Sequence, residues 1–453
     1  MNEHTGKISP AFEPFLAHSE PNEKRDAIVI YQTPQQPPRV RGRFRELKRR
    51  LKEVESRAAA QRVVQEQLFE GYGKASVKTR PGKQRLEVSS IGASTMPVAT
   101  VEVTPKTLSA LAEQPHVIAI MPNQRIHLIT PKVVDYQALE KQENKDGLTW
   151  GLKQLGIPNL WKTTKGKDIN VAVLDTGVHG EHPAIAGRVK DFVVIDPLGR
   201  RIAMKDGATF DSDQHGTHVC GTIAGGKTDT GVSIGVAPEA NLLVAGVLIG
   251  NATLETLFEG IAWAIEKGAD IISMSLGFDY YEPLFAKVFD MLIEEYGVLP
   301  VAAIGNGNYG NSSSPGSSYS ALSVGAVEKI RRGTGVAAFS SGASLVFPGE
   351  QVNSIVTKPD VVAPGVQVYS SIPPQKRPDG VYDYAYFDGT SMATPHVAGV
   401  AALLMAAKPE AQVTEIIKAL KDTAKHPAGT SQRPDNRWGF GLIQPAAALS
   451  ALG

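Results

Sequence analysis

The sequence predicts an α/β protein whose main body is an open, mostly parallel sheet, preceded by a second, smaller α/β unit. Two observations in the body and one at its head carry that reading. Ile169-Asn170-Val171-Ala172-Val173-Leu174-Asp175-Thr176-Gly177 is a β-branched, apolar run that closes on an acid and a glycine. A strand buried on both faces reads this way, and open α/β sheets place their sites at the carboxyl ends of such strands. Val298-Leu299-Pro300-Val301-Ala302-Ala303-Ile304-Gly305-Asn306-Gly307 is another strand, ending in Gly-Asn-Gly, and helical runs of small and apolar residues lie at 215–225 and 393–404. At the head of the chain, short strand-like and helix-like stretches alternate on a smaller scale.

Residues 1–24 are polar and carry Pro10, Pro14 and Pro21, so they are expected to be disordered. Residues 27–31 read as a strand, followed by a Pro/Gln turn at 34–38. A basic amphipathic helix is expected next, because Phe44, Leu47, Leu51 and Val54 recur at helical spacing among Arg41, Arg43, Arg45, Lys48, Arg49, Arg50 and Lys52. Such a patch could meet nucleic acid, but Glu46, Glu53 and Glu55 interrupt it, and a solvated helix face is the reading kept. Residues 98–103 read as a strand, 105–113 as a helix and 117–121 as a strand, while 68–96 receive no role. The expected boundaries are a disordered N-terminus at 1–24, a small α/β domain at 25–130, a linker at 131–147 and the main body at 148–453.

Gly389-Thr390-Ser391-Met392-Ala393-Thr394-Pro395-His396 sets a serine at a Gly-led turn before the helical run Ala393, Val397, Ala398, Val400, Ala401, Ala402, Leu403 and Leu404. Pro395 is expected to be tolerable only in the first turn of that helix. Ser391 then sits near a helix N-terminus, where unpaired N–H groups and the dipole favour an oxyanion. The same Gly-Thr-Ser is equally an ordinary N-cap. His215-Gly216-Thr217-His218-Val219-Cys220-Gly221-Thr222-Ile223-Ala224-Gly225 opens another helix with a histidine. Asp175, His215 and Ser391 thus each stand at an element end. A serine hydroxyl is a poor nucleophile at neutral pH, and it needs a general base and an acid that orients that base.

Asp-Thr-Gly, His-Gly-Thr-His-Val and Gly-Thr-Ser-Met-Ala-Thr-Pro-His in this order resemble the three active-site signatures of the subtilases, the subtilisin-like serine peptidases. The resemblance covers about 148–449 and closes on Trp438-Gly439-Phe440-Gly441-Leu442-Ile443. It implies a doubly wound, mostly parallel sheet with helices on both faces, and hydrolysis of peptide bonds through an acyl-enzyme. Asp175, His215 and Ser391 take the catalytic roles, and Asn306 resembles the family's oxyanion-hole asparagine. His218 and His396 are read as packed residues and Cys220 as a small buried hydrophobe. Ser275, Leu276 and Gly277 resemble the strand that pairs with an extended substrate, and Gly250, Asn251 and Ala252 the opposing edge, with Gly305 beside them. The loop 308–315 is expected to floor the P1 pocket and, being uncharged, to favour an uncharged P1 residue.

Residues 108–117 resemble the end of subtilase propeptides, which are small ferredoxin-like domains that assist folding and cap the active site with their own tail. The N-terminal domain is therefore expected to be an intramolecular inhibitor, cut off by self-processing between about 124 and 150. No cofactor is implied. Structural calcium is in doubt, since Asp229 offers one ligand but Ala184 stands where the family has a second carboxylate. A catalytically silent peptide-binding module and an acyl transferase acting as ligase or cyclase are the alternatives.

Composition sets no special partner. A formal net charge of +1 and 42% hydrophobic residues give no electrostatic case for nucleic acid, and no apolar run is expected to cross a membrane. The start of the chain has no apolar signal core, which favours the cytoplasm, and the lone Cys220 can form no disulfide within the chain.

Overall fold

The computed structural model describes residues 6–32, 64, 89–90, 96–134, 137–346, 355–377 and 380–453. The expected turn at 34–38, the basic helix at 41–54 and most of 68–96 lie outside the described residues. Residues 6–24, expected to be disordered, fold instead. A 3-10 turn at Pro10–Phe12 leads into α1 (Glu13–His18), with Phe12 and Phe15 buried. Pro10 is the first residue of its turn and Pro14 the second of its helix, where a missing N–H costs nothing, so prolines that looked like breakers are starters.

The small domain is an antiparallel sheet of β1 (Arg25–Tyr31), β2 (Ser89–Ser90), β3 (Val98–Val103) and β4 (Val117–Pro122) in the order β2-β3-β1-β4. Helix α2 (Pro105–Ala112) joins β3 to β4, started by a capping box between Thr104 and Thr107. Strand alternation gives the sheet two apolar faces. Ala27, Val29 and Tyr31 pack with Phe12, Phe15, Leu108 and Leu111, while Ile28, Ile30, Val98 and Met121 face the main body.

The chain then runs through β5 (His127–Leu128), β6 (Lys132–Val134) and α3 (Gln137–Asp146). The expected linker is therefore built structure. Its polar residues belong to one short helix that buries Glu143 alone among Glu140–Asn144.

In the main body β7 (Asn170–Asp175), β8 (Val189–Ile195), β9 (Arg201–Ile202), β10 (Asn241–Gly246), β11 (Ile271–Met274), β13 (Leu299–Ala303), β14 (Leu322–Ile330), β15 (Gly333–Val336) and β18 (Val361–Pro364) form one sheet. Its order is β15-β14-β13-β11-β7-β10-β8-β9, with β18 beside β14, and every pairing is parallel except those of β9 and β15 at the ends. Val171 and Val173 point into a core shared with α4 (His215–Ala224) and α7 (Thr390–Ala407). Ala172 and Leu174 point into a second core, shared with α5 (Leu254–Glu266), α6 (Phe285–Glu294) and the inner face of the N-terminal sheet. The small domain thus sits on α5 and α6.

Two smaller sheets complete the body. β16 (Ala343–Val346) pairs with β17 (Ile355–Lys358), and the hairpin of β19 (Val368–Arg377) and β20 (Gly380–Asp388) accepts β6 as a third strand. The expected single strand over 271–277 is broken at Ser275, and its second part is β12 (Leu276–Gly277), which pairs with β5. Helix α7 is long and apolar enough to cross a membrane by composition, yet all its residues from Thr390 to Met405 are buried in the core. Chain closure follows from Val362, whose amide donates to the Gly441 carbonyl and beds the closing segment against β18.

Candidate active site

Strand β7 delivers Asp175 at its carboxyl end, and α4 delivers His215 as its first residue. Both side chains are fully buried, and His215 Nδ1 donates to Asp175 Oδ1 at 2.8 Å. The Thr176 amide donates to the same oxygen at 2.7 Å and so helps hold the carboxylate in place. His215 Nε2 has no hydrogen-bond partner, so its lone pair is free.

Ser391 is the second residue of α7, and that helix packs on α4. Pro395 lies sixth in α7, beyond the first turn to which sequence reasoning confined it. Its missing N–H would orphan the Ser391 carbonyl four residues back, and Ser275 Oγ donates to that carbonyl at 3.2 Å instead. A tertiary contact therefore supplies what the helix lacks. The Ser391 hydroxyl donates to the carbonyl of Ile129 at 2.9 Å.

Asn306 follows β13 and is held by its own oxygen, which accepts the Thr390 amide and the Thr390 hydroxyl, both at 2.9 Å. Its Nδ2 then points outward and donates to the Thr130 carbonyl at 3.2 Å. Ser391 and Asn306 therefore grip consecutive carbonyls, one peptide out of step. Gly305 just before Asn306 has φ +111°, and a Cβ there would lie 2.4 Å from Ser313 Oγ.

Residues 124–130 of the chain itself lie in the cleft. Leu128 pairs with Leu276 and His127 with Gly277, and the Ile129 amide donates to the Ser275 carbonyl at 3.3 Å. On the other side the Ile126 amide donates to the Ala252 carbonyl at 3.1 Å, and the Leu254 amide to the Gln124 carbonyl at 2.9 Å. Ala252, Ser275, Leu276 and Gly277 thus meet an extended chain. The opposing edge runs through Ala252 and Leu254, one step beyond the expected Gly250 and Asn251, because Gly250 is spent on a left-handed turn at φ +60°. Gly277 has no room for a side chain. A Cβ there would stand 2.1 Å from the Ser314 carbonyl, which accepts the Phe278 amide in the crossing loop.

That loop, 308–315, holds no charged residue, and Ser313 and Ser314 are buried in it. Arg437 from the closing segment lies over its Tyr309 ring at 5.7 Å, a charge that the loop's own sequence does not reveal.

His218 stacks on Phe387 with ring centroids 4.3 Å apart, and its Nε2 faces the Val368 and Ala385 carbonyls at 3.0 and 3.2 Å. Burial pushes its pKa down to about 3, so the ring is a neutral donor. His396 is likewise buried, bonded to the Met392 carbonyl at 2.8 Å and pushed down to about 4. Cys220 is fully buried and its thiol is pushed well up by desolvation, which keeps it protonated and unreactive.

In the loop around Asp229 the oxygens that calcium would take are engaged in hydrogen bonds. Asp229 Oδ1 accepts the Thr230 amide, while the Thr228 and Thr230 hydroxyls bond each other and Thr230 reaches Asn144 on α3. Among the described residues no three His, Cys, Asp or Glu side chains gather into a metal site.

Three features escaped sequence reasoning. The carbonyls of Ile129 and Thr130 meet the site with no side-chain signal. Glu143 on α3 accepts the Trp150 amide and the Tyr386 hydroxyl, both at 2.7 Å, and burial pushes it up to about 7. Buried Glu282, ahead of α6, accepts the Ser9 hydroxyl and so ties the N-terminal segment to the body.

The model of the Subtilase family matches residues 166–441, well over half of the chain. The chain is 34% identical over 282 residues to an intracellular serine protease of Paenibacillus polymyxa, covering 60% of this chain and 77% of that one. It is 36% identical over 294 residues to the major intracellular serine protease of Bacillus subtilis, covering 62% and 81%. Its fold is similar to the crystal structure of fervidolysin from Fervidobacterium pennivorans, described as a keratinolytic enzyme related to subtilisin, with TM-score 0.65 and 25% identity. That match covers 94% of this chain and 61% of fervidolysin, so the chain spans less than two thirds of its structural relative.

Proposed function

The chain belongs to the subtilase family and is a serine endopeptidase, and on that premise we propose that Asp175, His215, Asn306 and Ser391 carry its chemistry and that its first substrate is its own residues 124–130. In the proposed cycle His215 Nε2 takes the Ser391 proton as Oγ attacks the peptide carbonyl. Asp175 holds Nδ1–H and stabilises the imidazolium that results. Asn306 Nδ2 and the first-turn amides of α7 receive the oxyanion. The imidazolium then protonates the departing amine, and water enters by the reverse route to free the acyl-enzyme.

The observation that carries this reading is the contact of the Ser391 hydroxyl with the Ile129 carbonyl while the Ile129 amide donates to the Ser275 carbonyl, just beyond the β5–β12 pairing. Residues 124–130 thus lie as a substrate lies, and Ile129–Thr130 is the peptide bond presented. The contact is a resting one. The proton of Ser391 sits on the carbonyl and not on His215, and Asn306 holds the next carbonyl along. Attack requires a shift that brings one carbonyl to both groups. The domain at 25–130 then acts as inhibitor before the cut and as a bound cap after it, seated on α5 and α6. Polypeptides in general are the later substrates, with an uncharged residue preferred at P1. An intracellular place of action is part of the proposal and rests on the two relatives named as intracellular proteases. Hydrogen bonds close the loop around Asp229, and no organic cofactor takes part.

Mass spectrometry of the purified protein beside Ser391→Ala tests this. The wild type should yield a new N-terminus at Thr130 and the variant should stay one chain. Identical masses would sink self-processing, and labelling of Ser391 by a fluorophosphonate separates an enzyme from a silent binding module, which would not react.

A further inference from the structure

We propose that Asp211 is a positioning residue for this reaction, a carboxylate that locks the residue after Asp175 to the first turn of the helix that begins with His215. The proposal rests on the triad reading above. Each Asp211 oxygen takes two donors. Oδ1 accepts the Thr176 hydroxyl at 2.7 Å and the Asp213 amide at 3.1 Å. Oδ2 accepts the Thr217 amide at 2.8 Å and the Thr217 hydroxyl at 2.5 Å.

Both hydroxyls relay the carboxylate to the backbone around the site. Thr176 Oγ1 accepts the Gly216 amide at 3.0 Å, and Thr217 Oγ1 accepts the His179 amide at 2.9 Å. Thr176 in turn gives its own amide to Asp175 Oδ1, the oxygen that holds His215. A single group thus sets where β7 ends relative to where α4 begins. Helix α4 has no cap from its own N-cap residue, since Gln214 makes no such bond, and Asp211 satisfies the Thr217 amide in its place. Its charge also faces the positive end of the helix that carries the catalytic base.

The donor count explains why a carboxylate is needed. All four partners donate, so every lone pair used must belong to an acceptor. An asparagine would offer one acceptor oxygen and turn an NH2 group against donors on the other side. The resulting shift at the ends of β7 and α4 acts on geometry in which displacements of an ångström or less are costly to rate.

The test compares wild type, Asp211→Asn and Thr176→Val on a chromogenic peptide, with the concentration of competent Ser391 titrated by fluorophosphonate. Asp211→Asn should lower kcat on the order of 10- to 100-fold with KM nearly unchanged. Thr176→Val should lower kcat about tenfold, again with KM nearly unchanged. Wild-type kcat per titrated site in Asp211→Asn would overturn the proposal, and so would a loss confined to KM. If Asp211→Asn does not fold, Thr176→Val decides alone, and wild-type kcat there overturns it equally. Failure of the wild type to react at Ser391 would instead strike the triad reading beneath.

Discussion

At the scale of single residues, one hydroxyl proton defines the resting state, lying on the Ile129 carbonyl with His215 Nε2 free beside a buried aspartate. Asn306 is oriented by Thr390 and is expected to act only on the oxyanion. Asn306→Ala should therefore reduce kcat by roughly 10²–10³ with little change in KM, the size found when the corresponding donor is removed from subtilisin. A KM effect without a kcat effect would remove Asn306 from the oxyanion hole. Cys220 was read as a packed hydrophobe, and its complete burial and raised pKa agree. A thiol reagent should leave the folded protein unmodified and fully active, and rapid loss of activity would contradict this. These identities were legible because short motifs fix residue type by chemistry. Asp211 was not, because its partners Thr176 and Thr217 are unremarkable in sequence and meet it only through the fold.

At the scale of elements, the segment between the two domains departs most from the sequence reading. Residues 131–147 looked like a polar linker, yet β6 joins the β19–β20 hairpin and α3 buries Glu143 against Trp150 and Tyr386. Glu143 is pushed from 4.5 to about 7 mainly by burial, with Asp146 and Glu140 adding repulsion. A raised carboxyl pKa means that the folded form holds a proton the unfolded chain has lost. The stabilisation is full below about pH 4.5 and is lost as pH rises to about 7. Glu143→Gln keeps a neutral side chain at every pH, so its melting temperature should fall less between those limits than that of the wild type. Parallel curves would show that Glu143 is not the source. The N-terminal sheet supplies a second test, because Ile30 is fully buried on the face that meets α5 and α6. Ile30→Asp would bury a charge with no partner, at a cost of several kcal/mol. It should release the small domain and give peptidase activity without a lag, and an unchanged lag would count against docking through this face.

At the scale of the whole molecule, two cores lie on the two faces of one sheet, and among the described residues only the second is shared with the small domain. This places the small domain opposite the layer that carries His215 and Ser391, with residues 124–130 reaching round to the cleft. The loop at Asp229 is closed by threonine hydroxyls and Asn144, so a chelator should leave the melting temperature where it was. A clear drop would reveal an ion that these contacts do not suggest.

By itself the sequence determined the chemistry and the parallel body. The Asp, His and Ser motifs need particular residue types at element ends, and β-branched runs have few other ways to be buried. Only the tertiary structure decided what occupies the cleft and which carbonyl faces Ser391, because backbone atoms carry no sequence signature. It also decided that polar and proline-rich stretches are ordered. Their stability comes from partners more than a hundred residues away, such as Tyr386 for Glu143, Glu282 for Ser9 and Ser275 for the carbonyl that Pro395 leaves free.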